Sequence, residues 1–360
     1  VASKTGFFSK DFKVVELASV LAGPSAGLFF AELGAEVIKI ENKKTRGDVT
    51  RSWKLPEENK NSKLSAYFLA ANFLKKHVFL DLKNQNDYKK CITHIKNADV
   101  VIVNYKNGDD KKLKLDYASV KKINPQLIYA SIVGFSESDE RVAYDLILQA
   151  ESGFMSINGT PESGPLKMPV ALIDLIAAHH VKEAILLALL KRNKTKKGSH
   201  ITVSLFDAAV TSLANQAANW LIAKHLPQRT GSLHPNIAPY GEIFKTKDSH
   251  TITFAIGSDK QFKDLCKILS IEKIASEKIF ITNQLRVKNR KNLFLILNKE
   301  VKKQTLADLQ KQCTKHRVPF AKVRNLKEVF LLSLAQKLIR EIKQAGKNFK
   351  VITSFPAKIR

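Results

Sequence analysis

Cysteine, acidic side chains and long apolar runs are all scarce in this 360-residue sequence. Its three cysteines, Cys91, Cys266 and Cys313, are odd in number, widely spaced and outside any CxxC or Cys/His cluster. That pattern excludes a disulfide framework and offers no zinc-ligand spacing. No apolar run approaches the ~18 to 20 residues needed to cross a bilayer. The first twenty residues also lack the basic-then-apolar order of a secretory signal. A protein of a reducing cytoplasm, with no membrane partner, is therefore expected. No GxGxxG follows a strand, so a dinucleotide pyrophosphate has no glycine-lined cradle. There is likewise no GxSxG elbow and no HExxH pair.

The shortage of acid leaves 33 Asp+Glu against 60 Lys+Arg, a formal charge of +27. Residues 281 to 360 hold 20 of the basic residues and 4 of the acidic ones. Of the 60, 49 are lysine. Base-specific contacts favour the arginine fork, whereas dispersed lysine gives a salt-sensitive attraction to any polyanion. The lysines also interrupt apolar-periodic stretches such as Leu293, Leu295 and Leu297, as solvated helix faces do. No specific nucleic-acid partner is expected.

What remains alternates strand and helix. Apolar runs at Phe12–Leu17, Val37–Ile40, Val78–Leu82, Val100–Val103 and Leu127–Val133 predict strands. Helical segments fall between them, near Asp87–Lys96 and Tyr117–Ile123. Pro24 suits a first helical turn and Gly34 a helix stop, which makes the opening a βαβ unit with a right-handed crossover. The fold class is α/β, a doubly wound Rossmann-like large domain plus a smaller α+β domain. Further on, an apolar helix at Leu175–Leu190, a strand at Ile201–Leu205, one long helix at Asp207–Leu226 and a hairpin pairing Gly241–Phe244 with Thr251–Ala255 are expected. The expected boundaries are 1–227 for the large domain, 228–325 for the small one and 326–360 for a returning segment, with linkers near 195 to 230 and 325 to 345.

An ordered series of blocks then narrows the reading. Val14-Val15-Glu16-Leu17 with Val20-Leu21-Ala22-Gly23-Pro24, Leu33-Gly34-Ala35-Glu36-Val37-Ile38-Lys39-Ile40-Glu41, and Gly47-Asp48 come first. Tyr67-Phe68 with Asn72 and Lys75, Leu80-Asp81-Leu82-Lys83, Ala98-Asp99-Val100 ending at Asn104-Tyr105, and Asn124-Pro125 follow. Tyr144-Asp145, Ser152-Gly153, Val203-Ser204-Leu205 and His234-Pro235 complete the series. Together these resemble the class III CoA-transferases, the group of formyl-CoA and carnitine CoA-transferases and α-methylacyl-CoA racemases. The resemblance spans about 12 to 330.

The resemblance implies transfer of coenzyme A from an acyl-CoA to a carboxylic acid by an interlocked homodimer, with no permanently bound cofactor and the CoA thioester as substrate. Asp174 matches the family's catalytic aspartate. It would attack the thioester, form a mixed anhydride and then carry CoA as an aspartyl thioester. By spacing alone Asp174 reads as the N-cap of an apolar helix, where N–H groups and the helix dipole favour the ionised form. The resemblance places Val20, Leu21 and Ala22 against the nucleotide and pantetheine. It sets Lys75, Asn104, Tyr105 and Lys112 along the ligand, with Lys75 and Lys112 meeting CoA phosphates. One departure is Asn42, where many members have arginine; Lys43 or Lys44 would replace its charge but not its planar fork.

Tyr144 decides between branches. The racemases have histidine there, working with the following aspartate in two-base proton exchange, and a tyrosine is too weak a base at neutral pH. His179 and His180 are the alternative bases, read more readily as packing residues or as supports behind the residues that touch substrate. The transferase reading is preferred; racemisation, or polyanion binding without catalysis, are its rivals.

Overall fold

The computed structural model describes residues 6–357. In chain order its first elements are β1 (Lys13–Leu17), α1 (Ala22–Glu32), β2 (Glu36–Asn42), α2 (Ala66–Asn72), β3 (Lys76–Leu80) and α3 (Gln85–Lys96). Next come β4 (Val100–Val103), α4 (Asp109–Lys112), α5 (Tyr117–Lys121), β5 (Ile128–Val133), α6 (Asp145–Glu151) and α7 (Phe154–Ile157). Then follow α8 (Leu172–Thr195), β6 (Ser199–Ser204), α9 (Leu205–Thr211) and α10 (Ala214–Leu221). The six strands make one parallel sheet in the order β3-β2-β1-β4-β5-β6.

This is the doubly wound order, and it places the ends of β1 and β4 at the point where the strand order reverses. Alternation along each strand supplies a core to both faces. Val14, Val37, Val100 and Ile128 pack with Phe30 of α1 and Ile173, Ala177 and Val181 of α8. Val15, Ile38, Val101 and Tyr129 face the other way, onto Ile95 of α3 and Val120 of α5. Strands buried on both faces read as continuous apolar runs, which is why β1, β2, β4 and β5 are legible, whereas β3 lies at the sheet edge and is largely exposed or half-buried.

Two compact units are present. Among the described residues the first comprises 6–155, Lys167–Ala218 and 336–357; the second comprises Ser156–Leu166 and Asn219–Ala335. In the second, β7 (Tyr240–Lys245) and β8 (Thr251–Ala255) form the expected antiparallel hairpin. Helices α11 (Asp259–Ile268), α12 (Asn283–Lys288), α13 (Arg290–Val301) and α14 (Leu306–His316) follow, and β9 (Phe320–Lys322) extends the sheet beside β8. Phe244, Phe254, Phe262, Leu293, Leu297 and Leu309 form its core. The chain continues through α15 (Leu326–Phe330) and α16 (Ser333–Gln336) to β10 (Ile339–Gln344) and β11 (Lys347–Ile352), an antiparallel hairpin of the first unit.

Several expectations need correction. The division differs from boundaries at 227 and 325: the second unit starts at Asn219 and also takes Ser156–Leu166, tied in by the Gly231 N–H donating to the Gly159 carbonyl at 2.7 Å. The helix expected over Asp207–Leu226 is broken between Thr211 and Ala214, where Ala214 adopts φ 45°. Neither proposed linker is structureless, since β6, α9 and α10 occupy the first and α15, α16 and β10 the second. Among the described residues no helix is long and apolar enough to cross a membrane, and the three cysteines are buried and unpaired.

Candidate active site

The β1–α1 connection is built under strain. Val20 sits at φ 70°, a left-handed conformation that a β-branched residue adopts only when its surroundings enforce it. Its N–H donates to the Asp48 carboxylate, 3.2 Å from Oδ2. Asn104, at the end of β4, brackets Ser19: its Oδ1 accepts from the Ser19 N–H at 3.0 Å and its Nδ2 donates to the Ser19 carbonyl at 2.9 Å. Lys39 Nζ donates to the Ala18 carbonyl at 2.7 Å and Lys75 Nζ to the Pro24 carbonyl at 2.8 Å. Leu21 then opens α1 without a side-chain cap, so the first N–H groups of that helix have no acceptor within it.

Those lysines belong to a buried charge network. Glu16 Oε1 lies 2.8 Å from Lys39 Nζ and Glu16 Oε2 lies 2.7 Å from Lys75 Nζ. Lys39 also pairs with Asp48 Oδ2 at 3.0 Å, and Lys75 with Asn72 Oδ1 at 3.1 Å. All four charged side chains are 1% exposed or less. Burial pulls the Lys75 ammonium down to about 8, against the pull of Glu16.

Asp174 occupies the first turn of α8, not its cap; Ala171 holds that position and supplies no side-chain bond. The capping is done from α6, where Asp145 Oδ1 accepts from the Ile173 N–H at 2.8 Å and the Asp174 N–H at 3.3 Å. Gln149 holds Asp145 in turn, its Nε2 donating to Oδ2 at 2.5 Å. Asp174 itself is 7% exposed, and among the described residues no donor is set on its carboxylate. Burial and then the neighbouring Asp145 charge raise it from 3.8 to about 7. The expectation that the helix terminus favours the ionised form is thus overturned, because Asp145 takes the N–H groups that were to provide it.

Val20, Leu21, Ala22, Asn104, Tyr105, Tyr144 and Asp174 all line one cleft of about 540 Å³ in the first unit. It shares Ser19, Asn104, Tyr105 and Lys106 with a second, open cleft of about 2090 Å³ running past β2 and β3. Two predicted lining residues are elsewhere. Lys75 lines neither cleft, since its ammonium is enclosed by Glu16, Pro24 and Asn72 and has no donor left for a phosphate. Lys112 also lies outside both, on the exposed face of α4, paired with Asp109 at 3.1 Å.

The cations that do line the large cleft include Arg46, Lys60, Lys63, Lys83 and Lys106. None of these forms a salt bridge among the described residues. Asn42 is exposed in the same cleft, its Oδ1 accepting from the Lys44 N–H at 2.9 Å. Lys44 lines it too, 3.0 Å from Asp81, while Lys43 does not. Opposite them, Glu41 is gripped by Arg51 and His77, whose hydrogen bonds overcome its burial and hold it near 2. His77 is met on its other nitrogen by Gln344 of β10 at 3.3 Å. His179 and His180 are exposed on α8, and neither lines the cleft that holds Asp174, so they are not packing residues.

The doubly wound parallel sheet puts a desolvated carboxylate and a strained strand-to-helix turn on one cleft at its switch point, the place where open α/β sheets bind their ligands. The chain matches CoA-transferase family III over residues 10–359 and belongs to that family. It is an enzyme of the CoA-transferase class. It is 40% identical over 324 residues to the succinate–glutarate CoA-transferase of Agrobacterium fabrum, covering 88% of this chain and 80% of that one. To the succinyl-CoA:glutarate CoA-transferase of Mus musculus it is 36% identical over 321 residues, covering 88% and 72%. The crystal structure of a CAIB/BAIF family protein from Brucella suis superposes with a TM-score of 0.83 at 37% identity, covering 97% of this chain and 91% of that one.

Proposed function

We propose that the protein transfers coenzyme A from an acyl-CoA to a carboxylic acid, with Asp174 as the nucleophile. A carboxylate oxygen of Asp174 attacks the thioester carbonyl; the C–S bond breaks, CoA leaves as thiolate, and a mixed anhydride remains. The thiolate then attacks the Asp174 carbonyl carbon, releasing the donor acid and leaving an aspartyl-CoA thioester. The acceptor carboxylate attacks the aspartyl carbonyl, the C–S bond breaks to release CoA thiolate, and a second mixed anhydride forms; the thiolate then attacks the acceptor's acyl carbon, forming the new acyl-CoA and releasing the Asp174 carboxylate. No electron is exchanged overall, so the scheme calls for no redox cofactor, and none of its steps is routed through a metal.

The observation that carries this reading is the environment of Asp174. Its ionised form is desolvated, has no hydrogen-bond donor among the described residues and faces Asp145. A carboxylate stripped of water gains nucleophilicity. Each covalent intermediate is uncharged at Asp174, so its formation relieves both the burial cost and the repulsion. The uncapped start of α1 gives N–H groups on the same cleft for developing negative charge.

The nucleotide end is assigned to the larger cleft, with Arg46, Lys83 and Lys106 as cations for the CoA phosphates. The two curated relatives are named for succinate, succinyl-CoA and glutarate, and short dicarboxylic acids are accordingly the proposed substrate class. A cytoplasmic homodimer of interlocked chains completes the reading. Leu187 and Leu190 stand exposed on α8, which is consistent with a subunit interface, and light scattering measures the state. Racemisation is not favoured, because the histidine position holds Tyr144 and the nearby His179 and His180 lie off the cleft.

Intact-mass analysis after incubation with succinyl-CoA tests the mechanism. A covalent CoA adduct on the wild type, absent in Asp174→Asn, together with CoA transfer to glutarate, is expected. Failure to form an adduct or exchange with a panel of acyl-CoAs would sink it.

A further inference from the structure

We infer that Glu16, Lys39, Asp48 and Lys75 are positioning residues, a buried charge network that holds the strained β1–α1 turn in the one conformation that presents its backbone to the CoA thioester. The inference rests on the function proposed above but concerns groups that reading does not use.

The network and the turn meet bond by bond. Ala18 is held through its carbonyl by Lys39, Ser19 through both backbone groups by Asn104, Val20 through its N–H by Asp48, and Pro24 through its carbonyl by Lys75. The restraints thus fall on either side of Leu21 and Ala22, which line the cleft with Asp174. They also fall directly on the residue in the strained conformation, Val20 at φ 70°. Strain of that kind persists only where neighbouring structure over-determines it.

The four charges sum to zero, and each ammonium has three acceptors. Lys39 has Glu16, Ala18 and Asp48; Lys75 has Glu16, Pro24 and Asn72. In each triad one acceptor is a backbone carbonyl of the turn or of the first turn of α1. Glycine at position 27 makes room for this, since a Cβ there would overlap the Glu16 carboxylate. A hydrophobic filling of the same volume would pack β1 against α1 equally well, but it would supply no directional hold on Ala18, Val20 or Pro24. The network therefore has its clearest use in fixing a backbone conformation, not in stability.

Asp48→Ala removes the acceptor of the Val20 N–H, and Asp48→Ala/Val20→Gly then relieves the strain, because glycine adopts positive φ freely. Hydrogen exchange of the peptide covering residues 18–24 is measured first, as it needs no substrate. Exchange at least tenfold faster in Asp48→Ala, with distant peptides unchanged, is expected. In transfer assays the same variant should raise KM for acyl-CoA at least tenfold while kcat at saturation stays within about threefold, and adding Val20→Gly should recover part of that KM. A purely structural role would lower thermal stability without this split or its recovery.

If Asp48→Ala does not fold, Asp48→Asn, which keeps an acceptor but drops the charge, replaces it, with smaller changes of the same sign. Unchanged exchange in residues 18–24, or a wild-type KM in the folded variant, overturns the inference. If the wild type itself neither binds CoA nor transfers it, the functional reading fails while the exchange data still decide whether the network holds the turn.

Discussion

Replacing Asp174 by asparagine separates its chemistry from its structural cost. The folded protein holds the Asp174 proton up to about pH 7, whereas the unfolded chain releases it near 3.8. Because the folded-state value is raised, the native state binds the extra proton between those limits, and wild-type stability falls as pH rises through that window. At 1.36 kcal/mol per pH unit the full window corresponds to about 4 kcal/mol as a ceiling, and partial water entry brings the expected figure to about 2 to 4 kcal/mol. Asparagine has the same shape and carries no charge at any pH. Asp174→Asn is therefore expected to be more stable than wild type at pH 8, by roughly 5 °C in melting temperature at the upper figure. The gain should shrink at pH 5 and vanish near pH 4, and CoA exchange should be abolished throughout. Urea denaturation of both proteins at pH 5 and pH 8 provides the free energies. A variant that is less stable at pH 8, or whose advantage does not change with pH, would refute the assignment of Asp174 as a buried, destabilised carboxylate.

Three further outcomes are expected. Asp145→Asn keeps an oxygen for the start of α8 but removes the charge facing Asp174, so the acidic limb of the rate–pH profile, set near pH 7 in the wild type, should move downward by on the order of one pH unit. Lys75→Met leaves Glu16 with one buried cation and should cost about 3 to 5 kcal/mol of stability in denaturant titration. It should not change the salt dependence of CoA binding, because Lys75 does not reach solvent. Lys83→Ala/Lys106→Ala, by contrast, should weaken CoA binding in calorimetry and flatten its salt dependence with no loss of stability.

Four of the six large-sheet strands, β1, β2, β4 and β5, are legible because parallel strands covered on both faces leave apolar runs, whereas the edge strand β3 is expected two residues late because Lys76 and His77 give no apolar signal. The sixth, β6, was placed about two residues late: Ser199 and His200 gave no apolar signal, and Leu205 belongs to α9. The β10–β11 hairpin was missed under the lysine surplus of its region. Its signal was present in the Ala345-Gly346 turn, both residues at positive φ, a two-residue connection that strands readily use. Of the expected site residues, Val20, Leu21, Ala22 and Asp174 are brought onto one cleft, because strand-to-helix connections at the switch point of the sheet set their positions.

What was not legible was which lysines face solvent. The resemblance alone assigns Lys75 to the ligand, since nothing local distinguishes it among 49 lysines. A clue stood one element away. Glu16 in Lys-Val-Val-Glu-Leu and Lys39 in Glu-Val-Ile-Lys-Ile-Glu-Asn are charges inside strands otherwise buried on both faces, and such charges need partners. Glu16 and Lys39 pair with each other, Asp48 brings a second buried acid onto Lys39, and those two acids with one lysine call for one more cation, Lys75.

The first unit is assembled from three separated stretches of chain, and the last of them closes it. The Ser354 N–H donates to Glu32 Oε2 at 2.7 Å, Arg340 Nε lies 3.3 Å from Glu32 Oε1, and the Phe355 ring meets Phe29 edge-on at 5.2 Å. Gln344 reaches the His77 that braces Glu41. During synthesis α1 thus emerges more than three hundred residues before the partners of its last turn. Until then Glu32 and Phe29 lack part of their cover, and the larger cleft lacks Gln344 from its wall. The second unit, interposed between these stretches, is complete first. Completion of the larger cleft therefore depends on docking a segment more than three hundred residues away from α1 in the chain, a long-range closure of the kind that forms more slowly than local contacts.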